Sequence, residues 1–164
     1  MDQISILILT IGIPGSGKSR WVRKYKKTHP LTYVISTDEI RKELTGYEQC
    51  IDPSQNDMIH DEARKRIKQI LEESKKKPQY VGPEIIVDST NCELNEWLKY
   101  KELGATIIRA VIFERTPDEA FKNQMNRERQ VPLPILKMKF DQYNKYKKFL
   151  PKLFNMLDYI PYEE

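Results

Sequence analysis

The sequence predicts an α/β protein, a parallel sheet of four to five strands with helices on both faces. Three observations carry this. Apolar runs of strand length alternate with helical patterns along the chain. The first run, Ser5 to Ile11 (SILILTI), leads straight into a glycine turn, Gly12-Ile13-Pro14-Gly15-Ser16-Gly17-Lys18-Ser19. A helical pattern follows that turn, and strand, turn and returning helix form the unit from which parallel sheets are built.

Taken in order, Ile4 to Ile11 is the first strand and Ser19 to Thr28 the first helix, with Pro30 beyond its end. Tyr33 to Ile35 is a short second strand. Ser36 opens a helix to Leu44, with Ser36 and Glu39 at capping-box spacing and Thr45-Gly46 as the stop. Tyr47 to Pro53 reads as a loop. From Ser54 to about Lys76 the apolar residues Ile59, Ala63, Ile67, Ile70 and Leu71 recur at helical spacing. Pro78 to Pro83 is a linker turn, and Glu84 to Asp88 (EIIVD) a third strand. Glu93 to Leu103 is a helix closed by Gly104, and Thr106 to Phe113 a fourth strand. Thr116-Pro117-Asp118-Glu119 supplies a cap, a proline at the first helical position and the glutamate of a capping box. Val131-Pro132-Leu133-Pro134 interrupts the pattern before a last helix from about Pro134 to Phe149. Met156 to Ile160 offers an additional edge strand.

The chain of 164 residues suits one domain spanning 1–164 with a full core. No apolar run nears the roughly 20 residues of a membrane-spanning helix, and MDQISILILT has no basic leader or small-residue cleavage site. Cys50 and Cys92 have no ligand spacing around them, so two unpaired thiols in a reducing cytosol is the expectation. His29 and His60 read as surface residues rather than ligands. Net charge is a modest +4, but Arg20 to Lys27 holds five basic residues and no acid. Lys137 to Lys152 holds six lysines against Asp141 alone, interleaved with Phe140, Tyr143, Tyr146 and Phe149. Such a stretch can track a phosphate backbone, but aromatics inward on an amphipathic helix is the better account of it.

The glycine turn fits G-x-x-x-x-G-K-[ST], a phosphate-binding loop. Glycine lets the backbone turn and approach a phosphate closely. The nest of N–H groups from Gly12, Ile13, Pro14's neighbours, Gly15, Ser16 and Gly17, with the helix start, attracts anions. Lys18 is placed to reach the β- and γ-phosphates of ATP and Ser19 to ligate Mg²⁺.

In an open parallel sheet, ligand chemistry sits beyond the carboxyl ends of the strands. Asp38 and Arg41 follow the second strand, three apart at a helix start, so they share the face toward the phosphate loop. An aspartate there can accept a proton from an attacking hydroxyl, and an arginine one turn on can hold a phosphate. Asp88 closes the third strand in Val87-Asp88-Ser89-Thr90-Asn91; it serves either a Mg²⁺ shell or a strand-end turn in which Asn91 caps the next helix. Asn126-Arg127-Glu128-Arg129-Gln130, before the proline break, reads as a lid whose arginines, Arg127 ahead of Arg129, neutralise charge on a transferring phosphoryl group.

Together these residues resemble the kinase domain of 5′-polynucleotide kinases, over Ile6 to Tyr146. ILTIGIPGSGKSRW is similar to that family's first strand and loop. Tyr33 to Arg41 is similar to its second strand, which implies Asp38 as general base and Arg41 on the acceptor's phosphate. IIVDSTN, Ile85 to Asn91, resembles the end of its third strand, with Thr90 as a substrate contact. NRERQVP, Asn126 to Pro132, resembles its lid, at about 126–133. The resemblance implies a P-loop kinase fold that uses ATP and Mg²⁺ to phosphorylate a 5′-hydroxyl end of DNA or RNA. Members with a 3′-phosphatase domain carry a D-x-D-G-T motif that this sequence lacks, so a kinase alone is expected. Two other readings stay open: a small-molecule kinase of the same fold acting on a nucleoside, sugar or antibiotic, and a nucleotide-gated binding protein without transfer chemistry. The absence of D-G-[FY]-P-R disfavours a nucleoside monophosphate kinase.

Overall fold

The computed structural model describes residues 3–50, 52–77 and 81–162; parts of the expected turns at 47–53 and 78–83 lie outside them. Five strands form one parallel sheet: β1 (Ile6–Ile11), β2 (Tyr33–Ser36), β3 (Glu84–Asp88), β4 (Ile107–Ile112) and β5 (Met156–Tyr159). Their order is β2-β3-β1-β4-β5. The offered edge strand is therefore real, with Arg109 opposite Met156 in its register. β1 is central, pairing Ile6 with Glu84 on one side and with Ile107 on the other. Its near-continuous apolar run reflects burial on both faces.

Side-chain alternation divides the core in two. Leu7, Leu9 and Ile11 point into the larger cluster, with Ile85, Val87, Ile59, Ile67, Trp97 and Leu136. Ile8 points to the other face, with Ile86, Val111, Phe113 and Val22. The helix α1 (Lys18–Thr28) covers this second, smaller face. The helices α2 (Thr37–Thr45), α3 (Asn56–Lys75), α4 (Leu94–Lys101) and α6 (Leu133–Tyr146) pack on the first, joined by α5 (Pro117–Asn123) and α7 (Leu150–Leu153). No helix among the described residues is long and apolar enough to cross a membrane.

The helix starts follow their caps. Ser36 Oγ accepts the Glu39 N–H at 3.3 Å. Thr116 and Glu119 complete the reciprocal box, at 3.2 and 2.8 Å. Two boundaries differ from expectation for a local reason, while α4 (Leu94–Lys101) ends two residues short of the expected Leu103. α3 does not begin at Ser54; Asp52 caps a 3₁₀ turn, Pro53–Gln55, and α3 follows from Asn56. The last helix does not run to Phe149. Pro151 has no N–H to give the Lys147 carbonyl, so the chain tightens into a 3₁₀ turn over Lys147–Phe149, and Leu150 N–H bonds that carbonyl instead. As expected of an amphipathic segment, Tyr143 is buried while Lys137, Lys145, Lys147 and Lys148 are exposed.

His60 departs from the surface position expected of it. It is part-buried on α3 beside Glu96 of α4, which also accepts from Arg64 Nη1 at 2.9 Å. Burial holds its pKa below the ordinary histidine range, and the Arg64 and Arg41 charges add to this against Glu96. Among the described residues no group of three or more metal-ligating side chains forms, and Cys50 and Cys92 are free thiols.

Candidate active site

The phosphate loop joins β1 to α1, and its shape explains its residues. Gly15 has φ +84°, and a Cβ there would lie 2.5 Å from the Ala120 carbonyl oxygen of α5. Gly17 has φ +97°. Gly12 is packed against Ser16 Oγ and Phe113, at 2.6 and 3.0 Å from where its Cβ would stand. Asn123 Nδ2 donates to the Gly15 carbonyl at 3.3 Å, so both α5 contacts fall on one glycine. Gly15→Ala is expected to cost about 1–3 kcal/mol from the left-handed backbone alone. The Tm should fall by several degrees and ATP affinity with it, read by thermal melts with and without nucleotide. An alanine variant that melts and binds like the parent would show that α5 does not constrain the loop.

Lys18 is buried under the loop it serves. Its Nζ donates to the Ile13 carbonyl at 2.8 Å and to Ser16 Oγ at 3.3 Å. Burial pulls its pKa down to about 8; nearby Cys92, Asp88 and Asp38 oppose the shift and Arg127 adds to it. An anion at the loop restores the ammonium. ATP binding should therefore take up a proton as pH rises through 8, and affinity should fall by up to tenfold per pH unit above that point. Calorimetry at about pH 7 and about pH 9 in buffers of different ionisation enthalpy checks this. Equal proton uptake at both would contradict it.

The strand ends gather the other predicted residues. Ser19 Oγ donates to Asp88 Oδ2 at 3.2 Å, linking the first turn of α1 to the end of β3. Burial raises the Asp88 pKa, while the Lys18 charge and the Ser19 bond counter it. Asp38, half-exposed in the first turn of α2, has one arginine at each oxygen. Arg41 Nη1 lies 3.0 Å from Oδ1, and Arg129 Nη1 lies 3.5 Å from Oδ2. The charges of Asp88, Asp38 and Arg127 each bear on the Lys18 ammonium.

Asn91 does not cap α4. It is buried at φ +48°, and its Nδ2 donates to the Thr10 carbonyl at 2.8 Å, with Trp97 Nε1 donating to the Asn91 carbonyl. It braces the ends of β1 and β3 instead. α4 is preceded by Glu93 without a side-chain cap. The Thr90 carbonyl accepts the Gly12 N–H at 3.0 Å and the Cys92 thiol at 3.3 Å, so its backbone supports the loop. Burial pushes the Cys92 thiol up to about 11.

Two residues of the site escaped sequence reasoning. Asn56 Oδ1 accepts from Arg41 Nη2 at 3.1 Å, which holds Arg41 from the start of α3. Gln124, buried, exchanges two bonds with Val131: Nε2 to the carbonyl at 2.6 Å, and the Val131 N–H to Oε1 at 3.1 Å. The expected lid is thus a loop with a sealed neck. An isolated polar residue before a charged turn gives no sequence signal for such a clasp.

The donor set fits Mg²⁺. Ser19 and Asp88 offer two hard oxygens within 3.2 Å of each other beside a phosphate loop, and this ion takes few protein ligands and completes its shell with phosphate and water.

Comparison with known proteins places this geometry. A chain of the Pnkp1/Rnl/Hen1 RNA repair complex superposes with a TM-score of 0.73 at 18% identity, over 92% of this chain and 47% of that one. A gluconokinase from Sinorhizobium meliloti 1021 superposes at 0.64 and 13% identity, over 97% and 83%. A second structure of the Pnkp1/Rnl/Hen1 complex gives 0.59 at 21%, over 79% and 44%. The chain thus spans about half the length of the first of these. Their shared fold is the P-loop kinase arrangement of a five-stranded parallel sheet flanked by helices. The AAA domain family matches residues 7–147, and the chain belongs to that family.

Proposed function

We propose that the protein is an ATP-dependent 5′-hydroxyl polynucleotide kinase. The observation that carries this is Asp38, a carboxylate with an arginine at each oxygen whose charge bears on Lys18 of the phosphate loop. In this reading the loop amides of residues 12–17 and Lys18 hold the β- and γ-phosphates. Ser19 and Asp88 hold Mg²⁺, which when bound offsets charge on those phosphates. Asp38 orients the 5′-hydroxyl and takes its proton as the 5′-oxygen bonds the γ-phosphorus and the bond to the β-phosphate oxygen breaks. Arg41 grips the acceptor's phosphate, Thr90 contacts the acceptor, and Arg127, seconded by Arg129, stabilises the transferring group. The likeness in fold to a chain of an RNA repair complex supports a nucleic-acid acceptor.

The test is transfer of label from γ-labelled ATP to DNA and RNA oligonucleotides bearing a 5′-hydroxyl, with 5′-phosphorylated strands as control. Labelled 5′-hydroxyl ends are expected. A panel with no labelled strand rejects the proposal.

A second reading, a small-molecule kinase, is favoured by the gluconokinase likeness, which extends over most of both chains. Label appearing on gluconate or another polyol, and on no oligonucleotide, would select it.

A further inference from the structure

The outer side of α1 carries a charge pattern that the candidate site does not use. Arg20, Arg23, Lys24 and Lys27 are all exposed. They stand at i, i+3, i+4 and i+7, which is one face of a helix. The opposite side of α1 buries Val22 and packs Trp21 and Tyr25 on the smaller core cluster. Lys26 is turned aside to donate to the Pro30 and Thr32 carbonyls. The four outward residues therefore form a ridge about 10 Å long at 1.5 Å per residue.

Among the described residues no carboxylate is ion-paired with this ridge. From Gln3 to Thr37 the sequence has no aspartate or glutamate. Elsewhere, Arg41, Arg64, Arg66, Arg109 and Arg129 are ion-paired, and Arg115 donates to the Ile160 and Pro161 carbonyls. Among the described residues, Arg20 and Arg23 share the lack of a carboxylate partner with Arg127 of the lid. Four like charges held together on one helix face repel, a cost that an anionic partner relieves. The ridge also begins beside the reacting centre: Arg20 follows Ser19, whose hydroxyl bonds Asp88.

We infer that the outer face of α1 is a sequence-independent track for the sugar–phosphate backbone of a nucleic acid whose end lies in the cleft. Phosphates follow one another along a strand at spacings that four cations over about 10 Å can meet without reading a base. The direction of the strand rests on the polynucleotide-kinase reading; the binding of the backbone does not.

The experiment measures binding of a 3′-labelled 30-nucleotide single strand by fluorescence anisotropy across a salt series. It compares the full chain with the variant Arg20→Gln, Arg23→Gln, Lys24→Gln, Lys27→Gln, and with Arg20→Lys, Arg23→Lys, which keeps the charge. Loss of four phosphate contacts should flatten the log–log salt slope by about 3, at roughly 0.7 per phosphate for a single strand. The charge-preserving variant should keep the parent slope, and ATP binding should be the same in all three. An unchanged slope in the glutamine variant, or no binding of the strand by the parent, overturns the inference. So does poly-glutamate bound as tightly as the strand, since the ridge would then be a general anion surface. Failure of phosphoryl transfer with the slope difference intact would reject the kinase reading alone.

Discussion

Asp38→Ala is expected to keep ATP bound and to lower phosphoryl transfer by about 10²–10⁴-fold, the range that a positioned general base contributes. The side chain is 55% exposed, so its loss opens no cavity. It sits in the first turn of α2, where a carboxylate adds about 0.3–1 kcal/mol against the helix dipole; the Tm should move little. Asp38→Asn is the sharper variant. The amide can keep an oxygen toward one arginine but cannot take a proton, so it should lose transfer to a similar degree. Single-turnover transfer with ATP affinity measured separately reads both. A rate within a few-fold of the parent in either variant would remove Asp38 from the chemistry.

Arg127→Ala should lower kcat by about 10³-fold or more, as expected of an arginine on a transferring phosphoryl group, while Arg129→Ala should cost at most about tenfold. The two lid arginines differ in what they face. Arg127 depresses the Lys18 pKa, so its charge already bears on the phosphate loop. Arg129 bears on Asp38. Removing Arg127 should also move the fall in ATP affinity to higher pH, because one of the charges opposing the Lys18 ammonium is gone. Removing Arg129 should leave that pH profile in place. A reversed ranking of kcat, with the pH profile moved by Arg129→Ala, would exchange their roles.

Much of this was legible in residue order because local chemistry decided it. The run SILILTI before a glycine turn fixed β1 and the loop, and Thr116-Pro117 with Glu119 fixed the start of α5. Other features depend on partners distant in sequence. Nothing in IIVDSTN says that Asn91 would turn inward at positive φ to hold the Thr10 carbonyl; a capping asparagine fits the same letters. The place of His60 depends on Glu96 of α4, a partner distant in sequence that meets both His60 and Arg64 of α3. The helix break after Tyr146 was legible in principle, since Pro151 withdraws the N–H that the Lys147 carbonyl, four residues before it, would accept. Strand order, and with it the meeting of Ser19 and Asp88, lies beyond what periodicity encodes.

The paired amide bonds between Gln124 and Val131 have a mechanical consequence. They tie the two roots of the loop together, so Arg127 and Arg129 ride on one flap rather than on two independent arms. A movement of one guanidinium therefore carries the other with it.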